Sequence, residues 1–121
     1  MSMGIVLAKT TSTGTAVGGT QLDISGITGD WTLKLEVLAV NDGNTVRFGF
    51  QDSVDAFTTP LAGPTIALSG KLTSSAPRCF EFTKRDFPDL RCGVASAVLR
   101  LNILNFTGAS KSVTYQAWIE Y

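Results

Sequence analysis

The sequence contains no histidine and only two cysteines. Without histidine, the chain cannot form a histidine-based catalytic triad, and it lacks the residue that most often acts as a general acid or base near neutral pH. It also cannot build the usual mixed cysteine and histidine zinc site from its own side chains. We therefore expect no metal, no cofactor and no enzymatic activity.

Charge is also scarce, because only 17% of the 121 residues are charged and the ten basic side chains balance the ten acidic ones. A neutral chain has no broad positive field for phosphate backbones or anionic lipids, so we expect neither nucleic acid nor a membrane as a partner. A hydrophobic content of 44% is enough for one core. We expect residues 1–121 to form a single domain.

Long apolar runs are missing as well. The apolar stretch near the start, Ile5–Ala8, has no basic segment before it and is too short for the core of a signal peptide. The stretch from Val94 to Phe106 is interrupted by polar residues and is too short for a transmembrane helix. We expect synthesis in the cytoplasm, without a signal peptide or membrane anchor.

The pattern that is present is strict alternation of apolar and polar residues, which is typical of half-buried β-strands. No stretch has the apolar spacing of a substantial helix. About seven or eight short strands predict an all-β fold, an antiparallel β-sandwich of the jelly-roll type, with an immunoglobulin-like sandwich as the alternative. The clearest alternating segments are Trp31–Val37, Thr45–Gln51, Thr65–Ser69, Arg78–Thr83, Ala97–Ile103 and Val113–Tyr121.

Turn-forming residues separate these segments. Asn41–Asn44 contains an Asp-Gly pair and predicts a β-hairpin between its neighbouring strands. Two prolines and a glycine predict a loop over Asp52–Pro64. Residues 1–20 include the small, polar segment Thr10–Thr20, which predicts an arm or an edge hairpin. This segment and the final strand would both offer free backbone edges, so we expect a homo-oligomer.

A loop rich in charge follows the Arg78–Thr83 strand. It should be exposed and anchored by Phe87 and Leu90. Its basic residues Lys84, Arg85 and Arg91 are candidate partner contacts, although a solvated loop of mixed charge is the simpler explanation and the one that the sequence favours. They are interrupted by two aspartates.

Trp118 is the fourth candidate partner contact, because alternation places it on the polar face of the last strand. An aromatic side chain there would stack on a sugar or enter a subunit interface. The alternative is that a loop of the sandwich covers it. We weigh the two interpretations equally.

Two further groups are interpreted as structural. Asp52 and Asp55 could form a catalytic carboxylate pair, but their position in a predicted polar loop favours solvated acids. Cys79 and Cys92 should be buried or half-buried thiols in a reducing cytosol, and the sequence leaves a bridge between them open.

Four segments spread over nearly the whole chain carry one further signal: Val6–Thr11, Gln51–Thr59, Asp89–Gly93 and Tyr115–Glu120. With them the chain resembles a family of small virion proteins of tailed phages and prophages, which are structural or cement-like capsid-decoration proteins. The resemblance implies a sandwich subunit located in the virion, often a dimer or trimer, that binds capsid or other virion subunits. It implies no catalytic or ligand-binding residues.

Two other functions stay open at this stage. A carbohydrate- or receptor-binding module would use Trp118 together with a second aromatic residue or a polar cleft beside it. A small enzyme that uses carboxylates alone is the third hypothesis.

Overall fold

Eight strands and no helix make up the part of the chain that this computed structural model describes, residues 2–15, 21–41, 45–58, 60–69, 77–108 and 111–121. The alternating segments of the sequence coincide with these strands, as their periodicity predicts, except that Trp31, Ala97 and Tyr121 each lie one residue beyond a strand end. The strands are β1 Met3–Ser12, β2 Leu22–Asp23, β3 Thr32–Asn41, β4 Thr45–Ser53, β5 Leu61–Ser69, β6 Arg78–Thr83, β7 Val98–Thr107 and β8 Ser112–Glu120.

The strands form two antiparallel sheets of four, packed as a β-sandwich. The first sheet has the order β1-β8-β3-β6, and the second has the order β2-β7-β4-β5. This is the strand order of a jelly roll. It differs from the immunoglobulin order, in which the first, second, fifth and fourth strands share one sheet. The predicted sandwich is confirmed, and its strand order matches the jelly-roll form.

The core lies between the two sheets, where each strand contributes every second side chain. In β3 the inward residues Leu33, Leu35 and Val37 are fully buried. Aromatic rings join the two sheets, since Phe48 of β4 lies 5.1 Å from Tyr115 of β8, measured between ring centroids. Burial of these side chains is the main stabilising contribution to the fold.

The predicted hairpin at Asn41–Asn44 is wrong. Strand β3 pairs with β6 and β8, whereas β4 pairs with β5 and β7, so the connection crosses from one sheet to the other. Residues 42–44 themselves lie outside the described residues. Alternation identifies the buried face of a strand but carries no information about its pairing partner.

The final strand is not a sheet edge, contrary to the sequence-based prediction, because β8 pairs with β1 on one side and β3 on the other. The edges of the first sheet are β1 and β6. Within the described residues β1 pairs with β8 alone, so the segment Thr10–Ser12 does lie at an edge. Residues 16–20 of the predicted arm lie outside the described residues.

The predicted loop over Asp52–Pro64 is shorter than expected, because β4 extends to Ser53 and β5 begins at Leu61. Pro64 is accommodated since β5 is an edge strand, where a missing N–H group costs little. At Gly63 a Cβ atom would lie 2.7 Å from the Phe87 ring. This glycine therefore lets the loop after β6 pack closely on the second sheet.

Candidate functional site

A cleft lies at one end of the first sheet, where three strands begin or end together. Thr32, the first residue of β3, is in register with Thr83 at the end of β6 and with Glu120 at the end of β8. The loop after β6 and the residues before β3 rise around these strand ends. The cleft is about 520 Å³ in volume, and its lining residues are Asp30, Trp31, Thr32, Thr83, Lys84, Arg85, Glu120 and Tyr121.

Two aromatic residues in the cleft differ in exposure. Trp31 is only 4% exposed, so it forms part of the floor. Tyr121 is 44% exposed, which leaves its ring available for contact. The backbone of Tyr121 is held in place, because its N–H donates to the carbonyl oxygen of Ser2 at 2.8 Å. The cleft therefore has a fixed apolar floor and one accessible ring.

Glu120 is the most highly connected charged residue of the cleft. Its Oε2 accepts a hydrogen bond from the Trp118 indole N–H at 2.9 Å and lies 3.1 Å from Lys34 Nζ. Lys34 Nζ also lies 3.4 Å from Glu81 Oε1. The bond from Trp118, followed by that from Lys34, holds the pKa of Glu120 below its usual value. The same hydrogen bond with Glu120 raises the pKa of Lys34.

Lys84 and Arg85, two of the candidate partner contacts from the sequence, both line the cleft. The carboxylate of the nearby Asp86 bonds to Thr83 instead, since its Oδ2 accepts hydrogen bonds from the Thr83 N–H at 2.8 Å and from the Thr83 hydroxyl at 3.2 Å. Within the described residues neither cation lies within 4.0 Å of a carboxylate. Both positive charges are therefore free to meet a ligand.

Arg91, the third basic residue of the loop, is placed differently. Its Nε donates to Asp52 Oδ2 at 2.9 Å, its backbone N–H donates to the same oxygen at 3.1 Å, and its Nη2 donates to the Asp52 carbonyl oxygen at 3.1 Å. Asp52 is fully buried, so the expectation of a solvated acid is wrong for this residue. Arg91 holds the loop against the end of β4.

Phe87 and Leu90 anchor the loop as predicted, and each is 7% exposed. Together with Arg91 they fix its second half to the body of the sandwich. The first half, which carries Lys84 and Arg85, remains exposed at the rim of the cleft.

Trp118 lies on the outer face of the first sheet, as its alternation predicts, and it is partly exposed. It is paired with Ile5 of the neighbouring strand β1, and Ile5 is 45% exposed. Met3, paired with Glu120, is 60% exposed. We refer to Met3, Ile5 and Trp118 as the apolar strip. It runs along the outer face of the sheet toward the cleft.

The two cysteines are unpaired. Cys92 is half-buried, and burial, followed by the charge of Asp52, raises the pKa of its thiol to about 11. Cys79 is exposed on the edge strand β6, which contradicts the prediction of a buried or half-buried thiol. It is exposed because it is in register with Glu36, whose side chain lies on the outer face.

Among the described residues no group of three or more histidine, cysteine, aspartate or glutamate side chains is arranged to hold a metal ion. Nowhere in this part of the chain does a helix reach the length and apolarity needed to cross a membrane.

Sequence reasoning identified Lys84, Arg85 and Trp118, but it missed Asp30, Trp31 and Tyr121 as members of one site. These residues flank strands, and only the register of β3 between β6 and β8 brings those strand ends together. The jelly-roll strand order places β3 between β6 and β8, and that order is the signal that would have grouped these residues.

No protein-family model, no curated protein and no solved structure matches this chain.

Proposed function

We propose that this protein is a non-enzymatic structural protein of a phage virion, which decorates or stabilises the capsid by binding shell subunits. Two general observations support the proposal. The jelly-roll strand order is common among viral capsid proteins. The chain also resembles small virion proteins of tailed phages over four segments.

The observation that carries the proposal is the apolar strip. Met3 and Ile5 lie on an edge strand beside Trp118, on a face whose other residues are mainly polar or charged. Methionine and aromatic residues are enriched in the cores of protein interfaces, and charged residues on the rim are typical. The strip therefore has the composition of a contact surface, with the charges of Lys34 and Glu120 at its border.

Sedimentation with empty virion shells tests this proposal. The parent protein should sediment with the shells and saturate at a fixed ratio. Met3→Ser combined with Ile5→Ser should weaken binding by about tenfold or more, because it removes exposed apolar contacts from the strip. The matched control is Val94→Ser combined with Leu104→Ser, since these side chains are 43% and 42% exposed elsewhere.

The control variant should bind as well as the parent protein. If the parent protein shows no sedimentation at saturating ratios, and mass spectrometry finds no trace of the chain in particles, the proposal fails.

We further infer that the working state is a homo-oligomer, a dimer or trimer. Strand β1 offers free backbone groups along an edge that has no partner among the described residues. Light scattering at increasing protein concentration measures this directly, and a mass that remains monomeric at the highest concentration would contradict it.

A second candidate function is a carbohydrate- or receptor-binding module, and the cleft favours it. Trp118 donates its indole N–H to Glu120, which lines the cleft together with Tyr121. This is the combination of a polar cleft and a second aromatic residue that such a module needs. A glycan array tests it, and a Trp118→Ala variant that binds as well as the parent protein would count against a role for Trp118.

A further inference from the structure

The cleft has an unusual distribution of charge, which restricts the ligands that fit it. Its two cations, Lys84 and Arg85, have no carboxylate partner within 4.0 Å among the described residues. Of the two carboxylates that line it, Asp30 and Glu120, Glu120 is already engaged by Lys34 and Trp118. A ligand that enters the cleft would therefore meet two positive charges that no carboxylate contacts among the described residues.

The cations favour an anionic group. An arginine guanidinium presents parallel N–H donors that match the two oxygens of a carboxylate, and a lysine ammonium adds a second charge-assisted bond. These two residues line the same cleft, so both positive charges attract an anionic group within it.

The remaining lining residues disfavour a bare anion such as phosphate. Asp30 lines the same cleft and would repel a compact dianion. Carboxylates accept hydrogen bonds from hydroxyl groups, so Asp30 suits a ligand that carries hydroxyl donors in addition to its charge. The half-exposed ring of Tyr121 offers a face against which a sugar ring packs.

From this arrangement we propose that the cleft binds a sugar that carries a carboxylate, such as a sialic or uronic acid at the end of a glycan. The carboxylate lies between Lys84 and Arg85, the ring packs on Tyr121, and the hydroxyl groups donate to Asp30. The inference deepens the carbohydrate-binding function described above and rests on it, and it is independent of the binding of shell subunits.

The cleft is also preorganised for such a ligand. Its volume of about 520 Å³ falls within the range of roughly 300–1,000 Å³ that is common for small-molecule sites. Its floor is the buried Trp31, and Glu120 is fixed by two side-chain bonds. A site that is already ordered loses less conformational entropy on binding.

The test is a titration of the full chain with oligosaccharides that end in sialic or glucuronic acid, and with the same compounds after reduction of the carboxylate to an alcohol. The parent protein should bind the acidic forms about tenfold or more tightly than the reduced forms, because a charge-assisted bond is lost. Binding of the acidic forms should weaken as salt is raised.

The variant Lys84→Ala combined with Arg85→Ala should lose about tenfold or more in affinity for the acidic sugars. Its matched control is Lys9→Ala combined with Arg47→Ala, which changes the net charge equally but at exposed positions that do not line the cleft. The control should bind as the parent protein does. Chemical-shift mapping on the parent protein gives an independent measure, and the largest changes should fall on the lining residues.

The outcomes are distinguishable. If reduced and acidic sugars bind equally, or if the shifts centre elsewhere, this inference is overturned while carbohydrate binding stands. If no sugar of either form binds, both are overturned, and sedimentation with shells decides the virion role separately.

Discussion

The two halves of the loop after β6 look alike in the sequence but differ in the structure. Each half combines positive charge with one aspartate. Lys84 and Arg85 face the open cleft, whereas Arg91 donates three hydrogen bonds to Asp52. The difference arises because Asp52, next to the last residue of β4, carries a buried carboxylate. Of the three cations, Arg91 is the one that pairs with it in the described structure. A basic cluster can thus divide into a structural part and an accessible part.

The buried pair explains why Arg91 is structural. Asp52 is 0% exposed, and its Oδ1 has no hydrogen-bond partner among the described residues. A buried carboxylate without compensation is strongly unfavourable, so the fold depends on the cation that compensates it.

The largest expected effect is therefore that of Arg91→Ala. This change leaves the buried charge of Asp52 unpaired and should lower the free energy of unfolding by about 3–5 kcal/mol. Urea denaturation followed by tryptophan fluorescence measures it. A loss below roughly 0.5 kcal/mol, which is typical of an ordinary surface substitution, would show that the pair is not structural.

A smaller loss is expected for Asp52→Ala, because the side chain of Arg91 is 28% exposed and water can solvate it once its partner is gone. The two single substitutions should also be coupled. The double variant should cost less than the sum of the singles by about 0.5–3 kcal/mol, which a double-mutant cycle measures. Strict additivity would indicate that the two side chains act independently.

The thiols provide a chemical probe of the same division. Cys92 follows Arg91 in the anchored half, and burial, together with Asp52, raises its pKa to about 11. Cys79 is exposed on β6, although partial desolvation raises its pKa as well. Because the thiolate is the reactive form and access limits the rate, alkylation at pH 8 should modify Cys79 before Cys92.

Peptide mass spectrometry after timed alkylation resolves the two sites. In Arg91→Ala the modification of Cys92 should accelerate, since the loop loses its attachment. Equal rates for the two cysteines in the parent protein would contradict the difference in exposure.

A smaller effect on stability, which depends on pH, is expected at the cleft. Hydrogen bonds hold the pKa of Glu120 below its usual value, so its contribution to stability is present above the ordinary carboxyl pKa and is lost as pH falls through the lowered value. Glu120→Gln should melt at a lower temperature than the parent protein near neutral pH. The difference should shrink below about pH 4.

Thermal melts of both proteins across pH provide the measurement. A difference that is constant down to the most acidic conditions would show that the charge of Glu120 does not matter for stability. Lys34→Met is a useful companion variant, since it removes the cation that lies 3.1 Å from the same carboxylate.

Much of this fold follows from local pattern. Alternation located the buried faces of β3, β6, β7 and β8. Phe87 and Leu90 were correctly predicted as the apolar anchors of the loop after β6. The position of each strand within a sheet was not accessible in this way, because pairing is decided by the packing of both sheets together. The hairpin expected at Asn41–Asn44 and the free edge expected at the last strand failed for that reason.

The candidate site shows the same division. Lys84, Arg85 and Trp118 stand out by residue type in the sequence. Asp52 resembles any polar loop residue until the length of β4 is known, and only then is its burial apparent. The contrast between Arg91 and its two neighbours depends on that one carboxylate.

The stability of the Lys84→Ala and Arg85→Ala double variant tests this contrast most directly. Its free energy of unfolding in urea should lie within about 0.5 kcal/mol of the parent protein, because neither cation has a carboxylate partner in the described structure and both are exposed. A loss as large as that of Arg91→Ala would contradict the division of the loop into an anchored half and an accessible half.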